Sequence, residues 1–142
     1  MVTPYLHFNG NCEEAFTFYE KAFGGKIQHL SRYCAIPENP DSPMSAEQRN
    51  KVMHAEILLT ETGGLSGADS FTPFVHGTAV DIHAHMPSEE QAQKVFAALS
   101  EGGTVISVLA PNPPPDEASV SGALIDKYGY TWILSAMRWQ YV

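Results

Sequence analysis

Two short runs hold the side chains best suited to chemistry. His54 and Glu56 stand two residues apart in KVMHAEILLT, and Asp81, His83 and His85 repeat that spacing in AVDIHAHM. A spacing of two places side chains on one face of a β-strand. Imidazoles and carboxylates on neighbouring strands are common donors for a divalent ion, so His54, Glu56, Asp81 and His83 form one candidate metal set. Glu56 beside His54 also suits general acid/base chemistry next to a carbonyl, with no metal needed. The bland alternative is a wetted sheet face whose polar groups bond to one another.

Other reactive residue types point to less. Ser66 in GGLSGADS only superficially resembles a G-x-S-x-G turn, with Gly64 as its first glycine, and no helical pattern follows it, so a nucleophile elbow is not expected. Cys12 and Cys34 are the only cysteines and neither belongs to a C-x-x-C pair, so reduced thiols are expected. Cys12, in a first helical turn, reads either as an activated thiol or as an inert, half-buried one.

The elements that must position these residues can be read from their punctuation. Thr3 to Phe8 alternates, with Leu6 and Phe8 on one face and Thr3, Tyr5 and His7 on the other. Asn11 and Glu14 have capping-box spacing and predict a helix start. Ala15, Phe18, Tyr19, Ala22 and Phe23 form its expected apolar stripe, and Gly24 with Gly25 its stop. A strand over Lys26 to Tyr33 follows, then a Pro-rich loop over 34–50 in which only Ser45 to Asn50 can form a helical turn. Loops of that length often act as lids or binding arms. Lys51 to Thr60 alternates as a half-buried strand, and Leu65 to Ser70 is a weaker one.

The plan then repeats. Thr78 to Met86 predicts a strand, Ser88 and Gln91 a second capped helix, and Gly102 with Gly103 its stop, 78 residues after Gly24. The helix stripe is Ala92, Val95, Phe96 and Leu99. Thr104 to Leu109, Val120 to Asp126 and Thr131 to Met137 complete the unit, with a stiff Pro-rich loop at 110–119. Trp132 and Phe74 are expected to build core or dimer surface, and Trp139 and Tyr141 in the tail to pack on a partner or a sheet edge.

The sequence therefore predicts an α+β fold, one domain over 1–142 made of two βαβββ repeats at about 1–70 and 77–142. The repeats are expected to form a curved mixed sheet with helices on its outer face. The inner, half-polar faces should line a cleft with Tyr5, His7, His54, Glu56, Asp81, His83, His85, Thr131 and Ile133.

Charge narrows the partners. A formal net charge of -8 argues against nucleic acid or an anionic membrane surface, and leaves a cationic ligand electrostatically acceptable. No apolar run approaches the roughly 20 residues of a membrane helix. The first residues lack a basic segment followed by an apolar core, so no secretory signal and a cytoplasmic location are expected.

Five stretches together resemble one known branch of proteins: TPYLHFNGNCEEAFTFYEKAFGG, MHAEILL, GADS, LSEGGTV and GALIDKYGYTWIL. The chain resembles the vicinal oxygen chelate superfamily, which includes glyoxalase I, extradiol dioxygenases and fosfomycin- and bleomycin-resistance proteins, and within it the PhnB-like branch. The resemblance touches every element except the two long loops. It implies metal ligands near Thr3 or Pro4, near Ser66, near Val80 or Asp81, and at Ile133. Only Asp81 is a good ligand there, so the resemblance implies a member without the usual metal quartet and with no cofactor. The branch's aromatic pair after the second long loop is replaced by PNPPPDEAS. The branch also carries a demethylubiquinone methyltransferase name, yet the chain has no glycine-rich strand-to-helix turn to cradle a nucleotide-like cofactor.

Taken together, the expected function is binding of a small organic molecule in a sheet-lined cleft, as a homodimer, with Tyr5, His7, His54, Glu56, Asp81, His83 and Ile133 as ligand contacts. One alternative is a glyoxalase- or dioxygenase-like enzyme with a relocated metal at His54, Glu56, Asp81 and His83. Another is sequestration of a cationic, bleomycin-like antibiotic in an acidic groove.

Overall fold

In a computed structural model of the chain, residues 1–139 are described. They form two units, Met1–Phe74 and a second beginning at Val75.

The first unit holds β1 (Tyr5–Phe8), α1 (Cys12–Phe23), β2 (Lys26–Arg32), a 3-10 turn at Tyr33–Ala35, α2 (Ala46–Arg49), β3 (Val52–Leu58) and β4 (Gly64–Asp69). Its sheet runs in the order β1-β4-β3-β2, with β1 parallel to β4 and the other pairs antiparallel. Leu6, Phe8, Ala55, Ile57 and Leu65 are buried beneath α1. Phe16 of the helix meets Phe8 edge to face, with ring centroids 5.9 Å apart.

Of the expected stripe of α1, Ala15 and Tyr19 are buried, joined by Cys12 and Phe16, while Phe18, Ala22 and Phe23 are only half-buried. Both series have helical spacing. The sheet selects the one that lets Phe16 reach Phe8, while Phe18 stays at the edge, its ring 5.8 Å from that of Tyr19. The capping box expected of Asn11 and Glu14 is also absent, for the Asn11 side chain makes no capping bond. Its place is taken from across the fold. Asp69, at the end of β4, accepts the N–H groups of Gly10 (3.0 Å) and Cys12 (2.9 Å) on one oxygen and that of Val52 (2.8 Å) on the other. One buried carboxylate thus ties the start of α1 to the start of β3.

Gly24 adopts φ 68° and closes α1, as the Gly pair predicts. The 34–50 loop contains the expected helical turn, α2, closed by a capping box between Ser45 and Gln48.

The second unit repeats the plan with β5 (Ile82–His85), α3 (Glu89–Ser100), β6 (Thr104–Pro111), β7 (Ser119–Ile125) and β8 (Thr131–Met137) in the order β5-β8-β7-β6. Strand β5 is shorter than the sequence suggests: Val80 is exposed and lies ahead of it. Ser88 accepts the Gln91 N–H at 3.1 Å, and Ala92, Val95, Phe96 and Leu99 are all buried. Trp132 is fully buried and donates its indole N–H to Asp126 at 2.9 Å, which places it in the core. Asp126 also accepts the N–H groups of Tyr128 and Tyr130, closing the β7 to β8 turn. Trp139 is exposed beside Arg138, while Tyr141 lies outside the described residues.

Each unit is therefore a four-stranded mixed sheet with one long helix on its apolar face. Two such sheets make an α+β protein of two βαβββ repeats.

Candidate functional site

The face of the first sheet opposite α1 is built by register. Tyr5 lies beside Ser66, Ser66 opposite Glu56, and Glu56 opposite His29, so one row crosses all four strands. His54 and Ser31 pair in the next row, with Ala68 and His7 on β4 and β1 at the same level.

Three of the expected residues join in a hydrogen-bonded chain. The Tyr5 hydroxyl is 3.0 Å from His54 Nδ1, and His54 Nε2 is 3.1 Å from Glu56 Oε1. An ionised carboxylate only accepts, so Nε2 carries hydrogen, and in the neutral ring Nδ1 is left to accept the Tyr5 O–H. Burial, followed by Tyr33 and Cys12 nearby, raises the Tyr5 phenol above its ordinary range, which keeps it a donor. Aromatic rings extend the surface. Tyr5 stacks on His54 at 5.6 Å, His7 stands 5.7 Å from Tyr5, His29 5.8 Å from His54, and Phe74 6.3 Å from His7.

This floor combines flat aromatic surface with a carboxylate and a phenol. It can stack a planar molecule and accept hydrogen bonds from its polar edge. Glu56 remains about half exposed. An exposed ion pair of this kind adds only about 0.2–1 kcal/mol to a fold.

In the second unit, His83 and His85 share the corresponding face, at 78 residues from Tyr5 and His7. His83 lies beside Ile133, and His85 beside Ser135. Ser135 is a residue that the sequence reading missed. Its Oγ is 2.7 Å from His83 Nε2 and 2.8 Å from His85 Nδ1. The alternation of Thr131 and Ile133 extends to it, so period two was the available signal. Asp81 is exposed, one residue ahead of β5.

The four relocated metal candidates are divided between the units: His54 and Glu56 belong to the first, Asp81 and His83 to the second. Both ring nitrogens of His54 are already engaged, by Tyr5 and Glu56. Within neither unit do three His, Cys, Asp or Glu side chains among the described residues gather as metal donors. Structural zinc sites take four ligands and catalytic ones at least three, so the donors of either unit do not fit such an ion.

The remaining candidates behave differently. Cys12 is fully buried, and burial, with Asp69 and Glu13 adding to it, pushes its thiol up to about 12. That identifies it as the inert thiol rather than the activated one. The 34–50 loop places Glu47 and Gln48 of α2 across a hollow from Asn9, Gly10, Lys51 and Phe71. Ser66 lies mid-strand in β4, with no elbow geometry. Among the described residues, no helix is long and apolar enough to cross a membrane.

Comparison with known proteins agrees with the architecture. The protein PA1353 from Pseudomonas aeruginosa superposes with a TM-score of 0.78 at 29% identity, covering 97% of this chain and 98% of that one. A putative 3-demethylubiquinone-9 3-methyltransferase, PhnB protein, from Bacillus cereus gives 0.74 at 28% identity, covering 95% and 98%. The fosfomycin resistance protein FosX from Listeria monocytogenes, complexed with Mn(II) and sulfate, shares the fold at 0.57 and 12% identity, covering 96% and 90%. The profile of the family described as 3-demethylubiquinone-9 3-methyltransferase matches residues 1–135. The chain belongs to this PhnB-like family, on the fold of the vicinal oxygen chelate proteins.

Proposed function

We propose that this protein binds small organic molecules on the polar face of each sheet, with Tyr5, His7, His54 and Glu56 as ligand contacts on the first sheet and Asp81, His83 and Ile133 on or beside the second. The observation that carries the reading is the Tyr5, His54, Glu56 chain, laid on an open sheet face and bordered by aromatic rings. Such a chain adds little to the fold. It offers oriented hydrogen-bonding groups to a ligand.

The methyltransferase name of the family is not the activity proposed. Methyl transfer from a nucleotide-like donor needs a cradle for that donor, and neither repeat has the glycine-rich turn between strand and helix that would supply one. FosX holds Mn(II) on this fold. The residues at the positions that the resemblance assigns to metal ligands, Thr3 or Pro4, Ser66, Val80 or Asp81, and Ile133, disfavour the same arrangement, since only Asp81 is a good ligand.

A homodimer in the cytoplasm remains part of the proposal. Strand β6 forms an edge of its sheet, with Val105, Ile106 and Val108 exposed, a surface that a second copy would cover.

The test is a thermal-shift screen of small aromatic and carbonyl compounds in the presence of a chelator. A binder present at 100 times its Kd stabilises the native state by about 2.7 kcal/mol. Stabilisation that survives the chelator supports the reading, whereas binding that requires added metal would redirect it to a metal-dependent enzyme.

A further inference from the structure

The cluster in the second unit joins two imidazoles through one hydroxyl. Ser135 Oγ stands between His83 Nε2 at 2.7 Å and His85 Nδ1 at 2.8 Å. A serine hydroxyl has one hydrogen and two lone pairs, so when that hydrogen lies on one of these two contacts the oxygen donates to one neutral ring and accepts from the other. If Ser135 donates to His85, then His83 carries its hydrogen inward on Nε2 and presents a bare Nδ1, while His85 carries its hydrogen outward on Nε2. Reversing the serine hydrogen reverses both rings. In either of these two arrangements one imidazole offers a base to the surface and the other an acid, and the buried hydroxyl sets which.

We propose that His83 and His85 act together as an acid–base pair on a small enolisable carbonyl compound, with Ser135 as the positioning residue that links them. The proposal rests on ligand binding at the second sheet face and adds a reaction to it. His83 and His85 are both exposed and Ser135 lies buried beneath them, 8% exposed, so substrate meets the rings and not the hydroxyl. The ring centroids are 6.5 Å apart and the planes nearly perpendicular, so the two rings stand as neighbours over one hydroxyl.

The proton count closes without a cofactor. In the enol-to-keto direction, His83 Nδ1 takes the enol O–H proton. His83 Nε2 passes its hydrogen to Ser135 Oγ, the serine hydrogen moves to His85 Nδ1, and His85 Nε2–H protonates the carbon. The O–H bond breaks and its pair becomes the C=O π bond, while the C=C π pair takes the proton and becomes the new C–H bond. The substrate is isomerised, no charge is left on the protein, and the two rings have exchanged roles for the reverse direction. Transfer to and from positioned groups of this kind contributes typically about 100- to 10,000-fold.

The experiment uses the full chain and phenylenolpyruvate as probe, following decay of the enol absorbance, with probe binding read separately by ligand-induced NMR shifts. The wild type is expected to accelerate ketonisation at least tenfold over buffer. Ser135→Ala and His85→Gln should each lose at least tenfold of that rate, Ser135→Thr should restore part of it, and Lys94→Gln, on the exposed side of α3, should leave it unchanged. Long-range proton–nitrogen NMR should find His83 and His85 in matched tautomers, both with hydrogen on Nε2 or both on Nδ1. Binding of the probe without acceleration would overturn the proton transfer and leave the binding reading intact. Neither binding nor acceleration would also overturn it, as would an undiminished rate in folded Ser135→Ala or mixed tautomers in the wild type.

Discussion

Asp69 accepts the backbone N–H of Cys12 at 2.9 Å, across 57 residues of chain. The same carboxylate also holds Gly10 and Val52, so its removal orphans three N–H groups at once. Each hydrogen bond to a charged group is worth about 1.5–3 kcal/mol, and buried orphans cost more than exposed ones. Asp69→Ala should therefore lose about 3 kcal/mol or more, seen as a lower urea midpoint. An unchanged midpoint would mean that Asn11 can cap the helix after all.

The Cys12 thiol carries a pH dependence with a defined sign. Its ordinary value is 9.0 and the fold pushes it up to about 12, because burial disfavours the thiolate. A neutral thiol is thus favoured in the folded state. The stability it contributes is fully present below pH 9.0 and is lost as pH rises from there toward about 12. Urea titrations across that window should show a steeper alkaline loss for wild type than for Cys12→Ala. In native protein at pH 8, a thiol reagent should modify the exposed Cys34 and spare Cys12.

Gly25 and Gly103 occupy the same place in the two repeats, 78 residues apart. A side chain on Gly25 would meet the carbonyl oxygen of Leu58, and one on Gly103 that of Ile125. Both carbonyls belong to backbone that cannot rotate away. Ala at either position should cost about 1–3 kcal/mol, the usual range for overpacking. Gly63, whose nearest neighbour would be Thr60 Oγ1 at 3.7 Å, is the control and should tolerate Ala within about 0.5 kcal/mol.

Tyr5→Phe and His54→Gln separate binding from folding. Each removes a link of the exposed chain, and neither opens the core. A ligand found by the thermal screen should bind either variant about tenfold more weakly, equivalent to about 1.4 kcal/mol, while the unliganded melting temperature stays within a degree or two. Unchanged affinity in both variants would place the ligand elsewhere.

Much of this protein was legible along the chain because the information was local. Alternation at period two put Tyr5 and His7 opposite Leu6 and Phe8, and His54 and Glu56 opposite Ala55 and Ile57. Those divisions needed only the geometry of a strand. Gly24 and Ser88 marked helix ends because left-handed backbone and N-capping depend on the residue in place.

What tertiary structure alone decided is which distant groups meet. The α1 stripe was ambiguous by spacing, and the contact between Phe8 and Phe16 resolved it. Asp69 replaced Asn11 as the helix-start acceptor because β4 ends beside that turn, a position no local signal records. Ser135 came to lie between His83 and His85 through the parallel register of β5 and β8, which sequence periodicity cannot set. Periodicity assigns a side chain to a face, whereas register, fixed by hydrogen bonds between strands far apart in the chain, assigns it a neighbour.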